Sequence, residues 1–464
     1  MAPERVSELR YLNSYFDREG SQILVVYGEK KTTLLYQFAS GKESHFYRAR
    51  SASEREQCSQ WARELKMGKK KEPCYPSYCE IFQRILGEEP LPDDKAVWSG
   101  EPEEKRLLIV DEFQFMVKAG DGFMKELTAL IRSREANRPL MVVLCSSSIG
   151  WVENSMVNKI GEAASELSGF LKVRELGVEA VRSFFPDFTR RQCVETYAIL
   201  GGVPGYWRHF EEGLSVKENI CKHILDRDAF LYGEGQRIVE EELRETGVYN
   251  TILASIAAGR RKLNDLYLHT EFSRAKISVY LKNLMELELV EKVFSYDTEG
   301  KANTQKGVYR ISNHFVHFYF TYLYPNLSSL ESMSGEEFYK EYIAPSFNYY
   351  VADYFSLFCK QHFERWNKQG KLPFKVERVG EWVGKFGTID IVAQNEEGKT
   401  ILGICNWEKP LMRYDDYEWF LFCAEKAKLE ADYVYLFSVH NFEERLKLEA
   451  TVKPNMKLIS MDEM

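Results

Sequence analysis

Short apolar runs alternate with amphipathic segments along the first 150 residues. Gln22–Gly28 (QILVVYG), Arg106–Asp111 (RLLIVD) and Leu140–Cys145 (LMVVLC) are too short for buried helices, so they predict strands that are covered on both faces. Thr32–Ser40 and Asp121–Ser133 have the spacing of helices. This order predicts an α/β domain with a parallel sheet, whose ligands bind at the carboxyl ends of the strands.

The pattern changes near residue 249. Three closely spaced helical segments occupy Thr251–Ala258, Lys262–His269 and Ser273–Val290. Two short strands follow, Val290–Phe294 and Gly307–Ile311, around a polar loop. Three short helices followed by a β-hairpin are typical of a winged helix.

The C-terminal third predicts a second α/β domain. The polar stretch Asn326–Gly335 predicts a loop and a domain boundary. Beyond it we expect an aromatic helix pair over Phe338–Phe363 and a helix near Asp415–Leu429, with strands at Thr388–Ala393, Thr400–Cys405, Tyr433–Ser438 and Met456–Ser460. The predicted domains are residues 1–215, a helical connector over 216–247, a winged helix over 248–326, and residues 337–464.

Composition narrows the class of protein. The chain has 464 residues, a net charge of −8 and nine cysteines, which fits a folded protein of about three domains with reduced thiols. No apolar run reaches the roughly 20 residues of a spanning helix, so we expect a cytoplasmic protein without membrane contact. Residues 248–325 hold ten Lys/Arg against seven Asp/Glu. This mildly basic segment is a candidate surface for phosphate groups.

The segment after the first predicted strand resembles a phosphate-binding loop. Such a loop reads G-x-x-x-x-G-K-[ST], because its backbone N–H groups encircle a phosphate while the lysine and hydroxyl reach phosphate and magnesium. Here GEKKTTLL supplies Lys31 and Thr32, but Gly28 lies three residues before the lysine instead of six. The deletion removes up to about 11 Å of chain. We expect Lys31 and the helix start to hold an anion weakly, without wrapping it.

The next two predicted strands end in polar residues. Asp111 and Glu112 follow an apolar run, where a P-loop ATPase would bind magnesium with the first acid and polarise the attacking water with the second. Ser146–Ser148 follow the third run, in position to sense a γ-phosphate. The alternative without a nucleotide site is that Asp111 and Glu112 are solvated acids at the end of a strand and that Ser146–Ser148 form an ordinary polar loop.

Four segments together resemble a known family. The order YG…KTTLL (27–35), LLIVDEFQF (107–115), VVLCSSSIG (142–150) and YAILGGVPGYW (197–207) is similar to the archaeal-type AAA-like P-loop ATPases of archaea and many bacteria, which carry a winged helix and an uncharacterised C-terminal domain. The resemblance implies ATP and magnesium as cofactors, with Glu112 catalytic and Thr32 and Asp111 on the metal. It implies nucleotide contacts by Gly28, Lys31, Thr32, Thr33, Asp111, Ser146 and Ser147. Family members also have an arginine after the third strand, where Met156–Gly169 offers only Lys159.

The C-terminal domain of that family resembles the restriction-endonuclease fold. Its magnesium site takes a helix glutamate, a strand aspartate and an E-x-K on the next strand, because several carboxylates must hold the ion. Asp390 matches the aspartate, but Ile404 and Asn406 stand at the E and K positions and Ser356 at the helix position. We expect Asp390 to be the remnant of a nuclease-like site.

The predicted winged helix carries cations that suit DNA. The candidate nucleic-acid residues are Arg274, Lys276 and Lys282 on its third helix, and Lys301 and Lys306 in the wing. Winged helices also dock proteins, and charged helix faces are often only solvated. DNA and a protein therefore both remain candidate partners.

Two sites that have lost residues in one molecule favour a degenerate family member. We expect a pseudo-enzyme that acts by association with nucleic acid or protein. One alternative is a slow magnesium-dependent ATPase that couples ATP binding to the handling of DNA or a partner. Another is a non-catalytic DNA-binding regulator or a component of a toxin system.

Overall fold

The computed structural model describes residues 5–28, 31–67, 75–86, 105–133, 139–243, 245–298 and 307–464. The chain forms two compact units, the first ending at Glu175 and the second beginning at Leu176. None of the helices in these ranges is long and apolar enough to cross a membrane.

The first unit is built on a parallel sheet. Its strands are β1 (Gln22–Gly28), β2 (Ser44–Arg48), β3 (Arg106–Asp111), β4 (Leu140–Ser146) and β5 (Gly169–Val173). They lie in the order β2-β3-β4-β1-β5, and every neighbouring pair is parallel. The predicted parallel α/β fold is confirmed, including all three strands expected from the apolar runs.

Helices cover both faces of this sheet. They are α1 (Val6–Phe16), α2 (Thr32–Ala39), α3 (Glu54–Glu64), α4 (Tyr78–Leu86), α5 (Gln114–Ala119), α6 (Gly122–Ser133), α7 (Ile149–Trp151) and α8 (Val157–Ile160), with a π-helical turn at Val152–Met156 and a 3-10 turn at Gly161–Glu166. Helices α1 and α2 pack on one face. The helices that follow β3 and β4 pack on the other. Connections that leave neighbouring strands toward opposite faces open a crevice at the carboxyl end of β1.

The second unit begins with α9 (Val178–Phe184), α10 (Arg190–Leu200), α11 (Pro204–Trp207), α12 (Val216–His223) and α13 (Glu234–Glu242). The GGVPGYW segment makes the turn between α10 and α11. A Cβ added to Gly202 would lie 1.9 Å from the carbonyl oxygen of Leu176, whereas one added to Gly205 would meet nothing within 4 Å. Only the first of these glycines is therefore required by close packing.

Three helices and an antiparallel pair of strands follow, in the predicted order. They are α14 (Thr246–Ala257), α15 (Leu263–Thr270), α16 (Arg274–Glu286), β6 (Val290–Val293) and β7 (Val308–Ile311). The Ser273 side chain caps α16 by accepting from the Lys276 N–H. Ile277, Leu281 and Leu284 are fully buried along one face of α16, which leaves the opposite face to solvent.

A helical region joins this module to the C-terminal sheet. It contains α17 (His314–Phe318), α18 (Leu327–Ser332), α19 (Gly335–Phe338) and α20 (Phe347–Lys368), with π-helical turns at Tyr319–Leu323 and Tyr339–Ile343 and a 3-10 turn at Tyr324–Asn326. The predicted loop over Asn326–Gly335 is wrong, because most of this polar segment forms α18. Leu330 is 3% exposed, and it is the buried residue through which this short helix packs.

The C-terminal sheet is mixed. It contains β8 (Arg378–Val383), β9 (Thr388–Gln394), β10 (Thr400–Asn406), β12 (Tyr433–Ser438) and β14 (Met456–Ser460) in the order β14-β12-β10-β9-β8, with a small pair β11 (Leu411–Met412) and β13 (Asn441–Phe442), and helices α21 (Tyr414–Ala427) and α22 (Glu444–Val452). The expected C-terminal sheet is confirmed. Residues after β6 bond to β8: the Tyr296 N–H donates to the Glu381 carbonyl (2.7 Å), and Ser295 Oγ accepts from the Val383 N–H (3.1 Å).

Candidate functional site

Three buried charges meet at the carboxyl ends of β1, β3 and β4. The Lys31 ammonium lies 3.4 Å from Asp111 Oδ1 and 3.2 Å from Glu112 Oε1. All three residues are less than a tenth exposed. Lys31 reaches this position because α2 starts directly after it, while β3 ends at Asp111. The structure therefore brings together one cation and two acids that the sequence motifs singled out.

Glu112 is fixed by further hydrogen bonds. Its Oε2 accepts from Ser147 Oγ at 2.8 Å, from the Ser147 N–H at 3.2 Å and from the Gln114 side-chain amide. Burial alone would raise the pKa of Glu112, but the Lys31 ammonium and the hydrogen bonds from Gln114 and Ser147 outweigh burial and lower it. Glu112 is thus held as an ionised carboxylate.

The backbone at Glu112 is strained. Its φ of +55° lies in the left-handed region, which costs a non-glycine residue of order 1–3 kcal/mol and persists where the surroundings impose it. The strain turns the carboxylate back toward Lys31 and Ser147 immediately after β3 ends. Such outliers concentrate at functional sites, which agrees with the charge cluster.

The other candidate nucleotide residues have separate surroundings. Thr32 and Thr33 are exposed at the start of α2. Ser146 is fully buried, and its Oγ accepts from the Ser148 N–H at 3.1 Å. A Cβ added to Gly28 would lie 2.3 Å from the Val173 carbonyl oxygen, so this glycine is needed for the approach of β1 to β5.

The donor set fits ATP with magnesium only in part. Carboxylates suit magnesium, and Asp111 Oδ1 is buried without a hydrogen-bond partner. However, Lys31 already forms ion pairs with both acids, and in the sequence only two residues separate Gly28 from Lys31. The phosphate-binding pattern has five residues between these two positions.

Gln114 is a site residue that the sequence reasoning missed. It lies two positions after Glu112, and its side-chain amide donates to Glu112 Oε2. The DEFQF motif contained it, but a glutamine beside two acids carries no signal of its own. Its hydrogen bond to Glu112 depends on the left-handed backbone conformation of Glu112, and the residue types in this segment do not predict that conformation.

The exposed face of α16 holds the first group of candidate nucleic-acid residues. Arg274, Lys276 and Lys282 are all exposed. Arg274 donates to Asn264 Oδ1 at 2.7 Å and lies over the Tyr267 ring, and Lys276 lies over the Phe272 ring. These local contacts hold the cations at the surface. Lys301 and Lys306 lie outside the described residues.

Asp390 lies on β9 beside the positions expected for a nuclease-like site. Its Oδ1 accepts from Ser356 Oγ (3.1 Å) and its Oδ2 from the Cys405 N–H (2.8 Å). Burial raises its pKa to about 6 against these hydrogen bonds. Within the described ranges, no group of three or more His, Cys, Asp or Glu side chains is arranged to hold a metal ion.

Two segments of the chain match models of protein families. Residues 3–210 match a family model described as an ATPase domain predominantly from Archaea. Residues 319–418 match a model of archaeal and bacterial proteins of unknown function. An uncharacterized protein of Methanocaldococcus jannaschii is 26% identical over 405 residues, which is 87% of this chain and 86% of that protein.

Solved structures show weaker likeness. The Walker-type ATPase of Pyrococcus abyssi has a TM-score of 0.47 at 17% identity and covers 68% of this chain and 95% of its own. The ORC2 protein of Aeropyrum pernix, solved as ADPNP–ADP complexes, has a TM-score of 0.40 at 15% identity and covers 71% and 95%.

Proposed function

We propose that this chain is an ATPase-family protein with a weakened nucleotide site. The family part of the proposal is supported by an archaeal-type ATPase domain and by a domain shared with archaeal and bacterial proteins of unknown function. In this proposal it acts by association with nucleic acid, and the ATPase fold is kept as a scaffold. The observation that carries the proposal is the ion pairing of Lys31 with Asp111 and Glu112 directly behind a shortened loop.

The physical reason is competition for the same charges. A nucleotide phosphate needs Lys31 and magnesium needs Asp111, but here each already neutralises the other in a buried place. An incoming ATP–magnesium complex has to break both pairs, and it gains fewer backbone hydrogen bonds because three loop positions are missing. ATP binding should therefore be weak, and we derive no hydrolysis step from this geometry.

Titration calorimetry with ATP and Mg²⁺ tests this part of the proposal. We expect no binding in the micromolar range, in the wild type or in Lys31→Ala. Lys125→Ala, an exposed lysine on α6, is the matched control. Micromolar binding that Lys31→Ala abolishes and Lys125→Ala keeps would overturn the weakened-site proposal.

The nucleic-acid part rests on residues 246–311. Helices α14–α16 and the pair β6–β7 have the order of a winged helix, and α16 presents Arg274, Lys276 and Lys282 to solvent. A helix with a buried apolar face and an exposed basic face suits the phosphates and major groove of DNA. Asp390 is treated as a remnant without nuclease chemistry, since one carboxylate is too few for a catalytic magnesium ion.

A gel shift with duplex DNA at several salt concentrations tests this contact. We expect a shift at low salt that weakens in Arg274→Ala/Lys276→Ala, with a shallower dependence on salt, because each phosphate contact contributes about 0.9 to the slope of log K against log salt. Lys217→Ala/Lys222→Ala on α12 provides a control of equal charge. The absence of any shift at low salt would remove DNA as the partner.

A slow magnesium-dependent ATPase is the second candidate function. The observation in its favour is the ionised Glu112, held by Ser147 and Gln114 beside Asp111. Phosphate release that depends on Mg²⁺ and falls in Glu112→Gln would support it. Equal release from the wild type and Glu112→Gln would exclude it.

A further inference from the structure

A cleft of about 680 Å³ lies within the second unit, between β6–β7, helix α20 and strands β8–β9. Four cations line it, Arg261, Lys292, Arg310 and Lys360. They come from separate segments of the chain, so the fold gathers them. None of them belongs to α16, whose exposed basic face is the nucleic-acid contact proposed above.

Both arginines are held by carboxylates. The Arg310 guanidinium makes a two-point contact with Glu381, at 2.5 Å to Oε1 and 3.1 Å to Oε2. Arg261 lies 2.8 Å from Asp353 Oδ2. Parallel two-point contacts are also the way in which guanidinium groups bind phosphate oxygens. Arg310 Nε is buried without a hydrogen-bond partner among the described residues, so Glu381 does not engage every donor of this side chain.

The two lysines are differently placed. Within the described part of the chain, neither Lys292 nor Lys360 has a carboxylate within ion-pair distance, whereas Lys292 lies over the rings of Phe294 and Tyr309 at 5.0 and 5.6 Å. Asp390, also in the cleft, directs its oxygens to Ser356 and Cys405. Glu291 also lines the cleft; burial raises the pKa of its carboxyl, and Arg310 and Lys360 act on it electrostatically. The two lysines thus lie outside any ion pair of the described residues, in a cleft that they share with this carboxyl group.

We propose that this cleft binds phosphate groups, either of an ester or of a free anion, and that Glu381 and Asp353 occupy the two arginines until phosphate replaces them. The inference goes beyond the proposed function, because it assigns a second anion site away from α16. Exchange is easier at Asp353, whose side chain is 56% exposed and can turn to water when Arg261 is taken, than at Glu381, whose side chain is 20% exposed. Lys292 and Lys360 then hold the phosphate together with Arg310.

Fluorescence anisotropy on the full chain tests the site with two probes. One is a labelled single-stranded octanucleotide, and the other is inorganic phosphate added as its competitor. Lys292→Gln/Lys360→Gln should weaken oligonucleotide binding and lower the slope of log K against log salt by about 1.4, at about 0.7 per lost contact with a single strand. Lys368→Gln, exposed on the same helix α20, should leave both unchanged.

The carboxylates give an opposite test. Asp353→Asn/Glu381→Gln keeps an oxygen for each arginine but removes the competing charge, so we expect several-fold tighter binding. Circular dichroism confirms that each variant is folded. If phosphate competes with the octanucleotide only at millimolar concentration, a strand is the source of the phosphate esters; if phosphate alone binds, a free anion is. Either result supports the site when the lysine variant loses it.

Two results would overturn the inference. One is equal affinity of the wild type and Lys292→Gln/Lys360→Gln for both probes. The other is unchanged or weaker binding in the Asp353→Asn/Glu381→Gln variant. Arg274→Ala/Lys276→Ala separates this site from α16: loss of duplex binding with retained octanucleotide binding leaves the cleft intact. If the wild type shows no gel shift with duplex DNA, that result contradicts the proposed function of α16 and leaves the inference about the cleft unaffected.

Discussion

Replacing Lys31 by methionine removes the cation that two buried acids share. Methionine keeps the length and apolar volume of the side chain, so the change is one of charge. Asp111 and Glu112 then lie side by side in a buried place, and the cation that remains near them is the exposed Arg48, whose Nε lies 4.0 Å from Asp111 Oδ2. We expect the first unit to lose stability at neutral pH, because an unpaired buried charge costs more than an exposed one.

The structure gives the size of the loss. At 3.2 and 3.4 Å, each pair has a Coulomb energy of about 5 kcal/mol at an effective dielectric constant of about 20. Desolvation of the three charges offsets most of this, and removal of one partner from a buried pair costs about 3–5 kcal/mol. Glu112 keeps its hydrogen bonds from Ser147 and Gln114, so we expect the lower end of that range.

The loss should depend on pH. The folded state lowers the pKa of Glu112 from its ordinary value of 4.5, so this carboxylate contributes stability above that value, and the contribution disappears as pH falls through the lowered pKa. The Lys31→Met variant lacks the main cause of the lowering. The difference between wild type and variant should therefore be complete at pH 7 and shrink below about pH 4.

Hydrogen exchange of the β3 amides measures the opening free energy of this unit separately from the rest of the chain. We expect Lys31→Met to lower it by about 3 kcal/mol at pH 7 and Lys125→Met to leave it unchanged. A double-mutant cycle with Glu112→Gln should show coupling. Equal exchange in wild type and Lys31→Met at pH 7 would refute the claim that these three charges stabilise one another.

Two further predictions concern the second unit. Gly202→Ala should lower the melting temperature strongly, because the added Cβ would lie 1.9 Å from the Leu176 carbonyl oxygen. Gly205→Ala, in open space on α11, is the control and should be neutral or stabilise by up to about 1 kcal/mol. Equal melting temperatures of the two variants would contradict this prediction. Asp390→Asn should stabilise the unit at pH 7.5 by up to about 3 kcal/mol and have no effect below pH 4. The reason is that the pKa of Asp390 is about 6 in the folded state against an ordinary value of 3.8, so the stability of the wild type falls as pH rises between these values. Urea unfolding at both pH values measures it, and a variant less stable at pH 7.5 would contradict it.

The sequence predicted the strands that are buried on both faces and missed those that are partly exposed. β1, β3 and β4 are almost continuous apolar runs. β2 (SHFYR) and β5 (GFLKV) mix exposed and buried positions at the two borders of the sheet, so their composition resembles that of loops. The polar α18 was missed for a related reason, since a single buried leucine gives little periodicity to read.

The sequence predicted candidate site residues only where they directly follow a recognisable strand. The meeting of Lys31 with Asp111 and Glu112 follows from strand ends that share one border of a parallel sheet. The contact of Arg310 with Glu381 joins residues 71 positions apart, and the left-handed backbone at Glu112 arises from its surroundings. Neither this long-range contact nor this backbone conformation can be predicted from the pattern of a single sequence. The cleft between β6–β7 and α20 was therefore found only in the structure.

The bonds from Ser295 and Tyr296 to β8 have a consequence for how copies of this protein behave toward each other. The outermost strand of a sheet presents unpaired N–H and carbonyl groups that can recruit a strand from another molecule. Here the chain's own segment takes up part of that row, and Arg378 reinforces it by donating to the Tyr296 carbonyl while lying over its ring. Self-association by strand addition is thereby discouraged at this end of the sheet, where the register of β8 against β9 also shifts between Gly380 and Trp382.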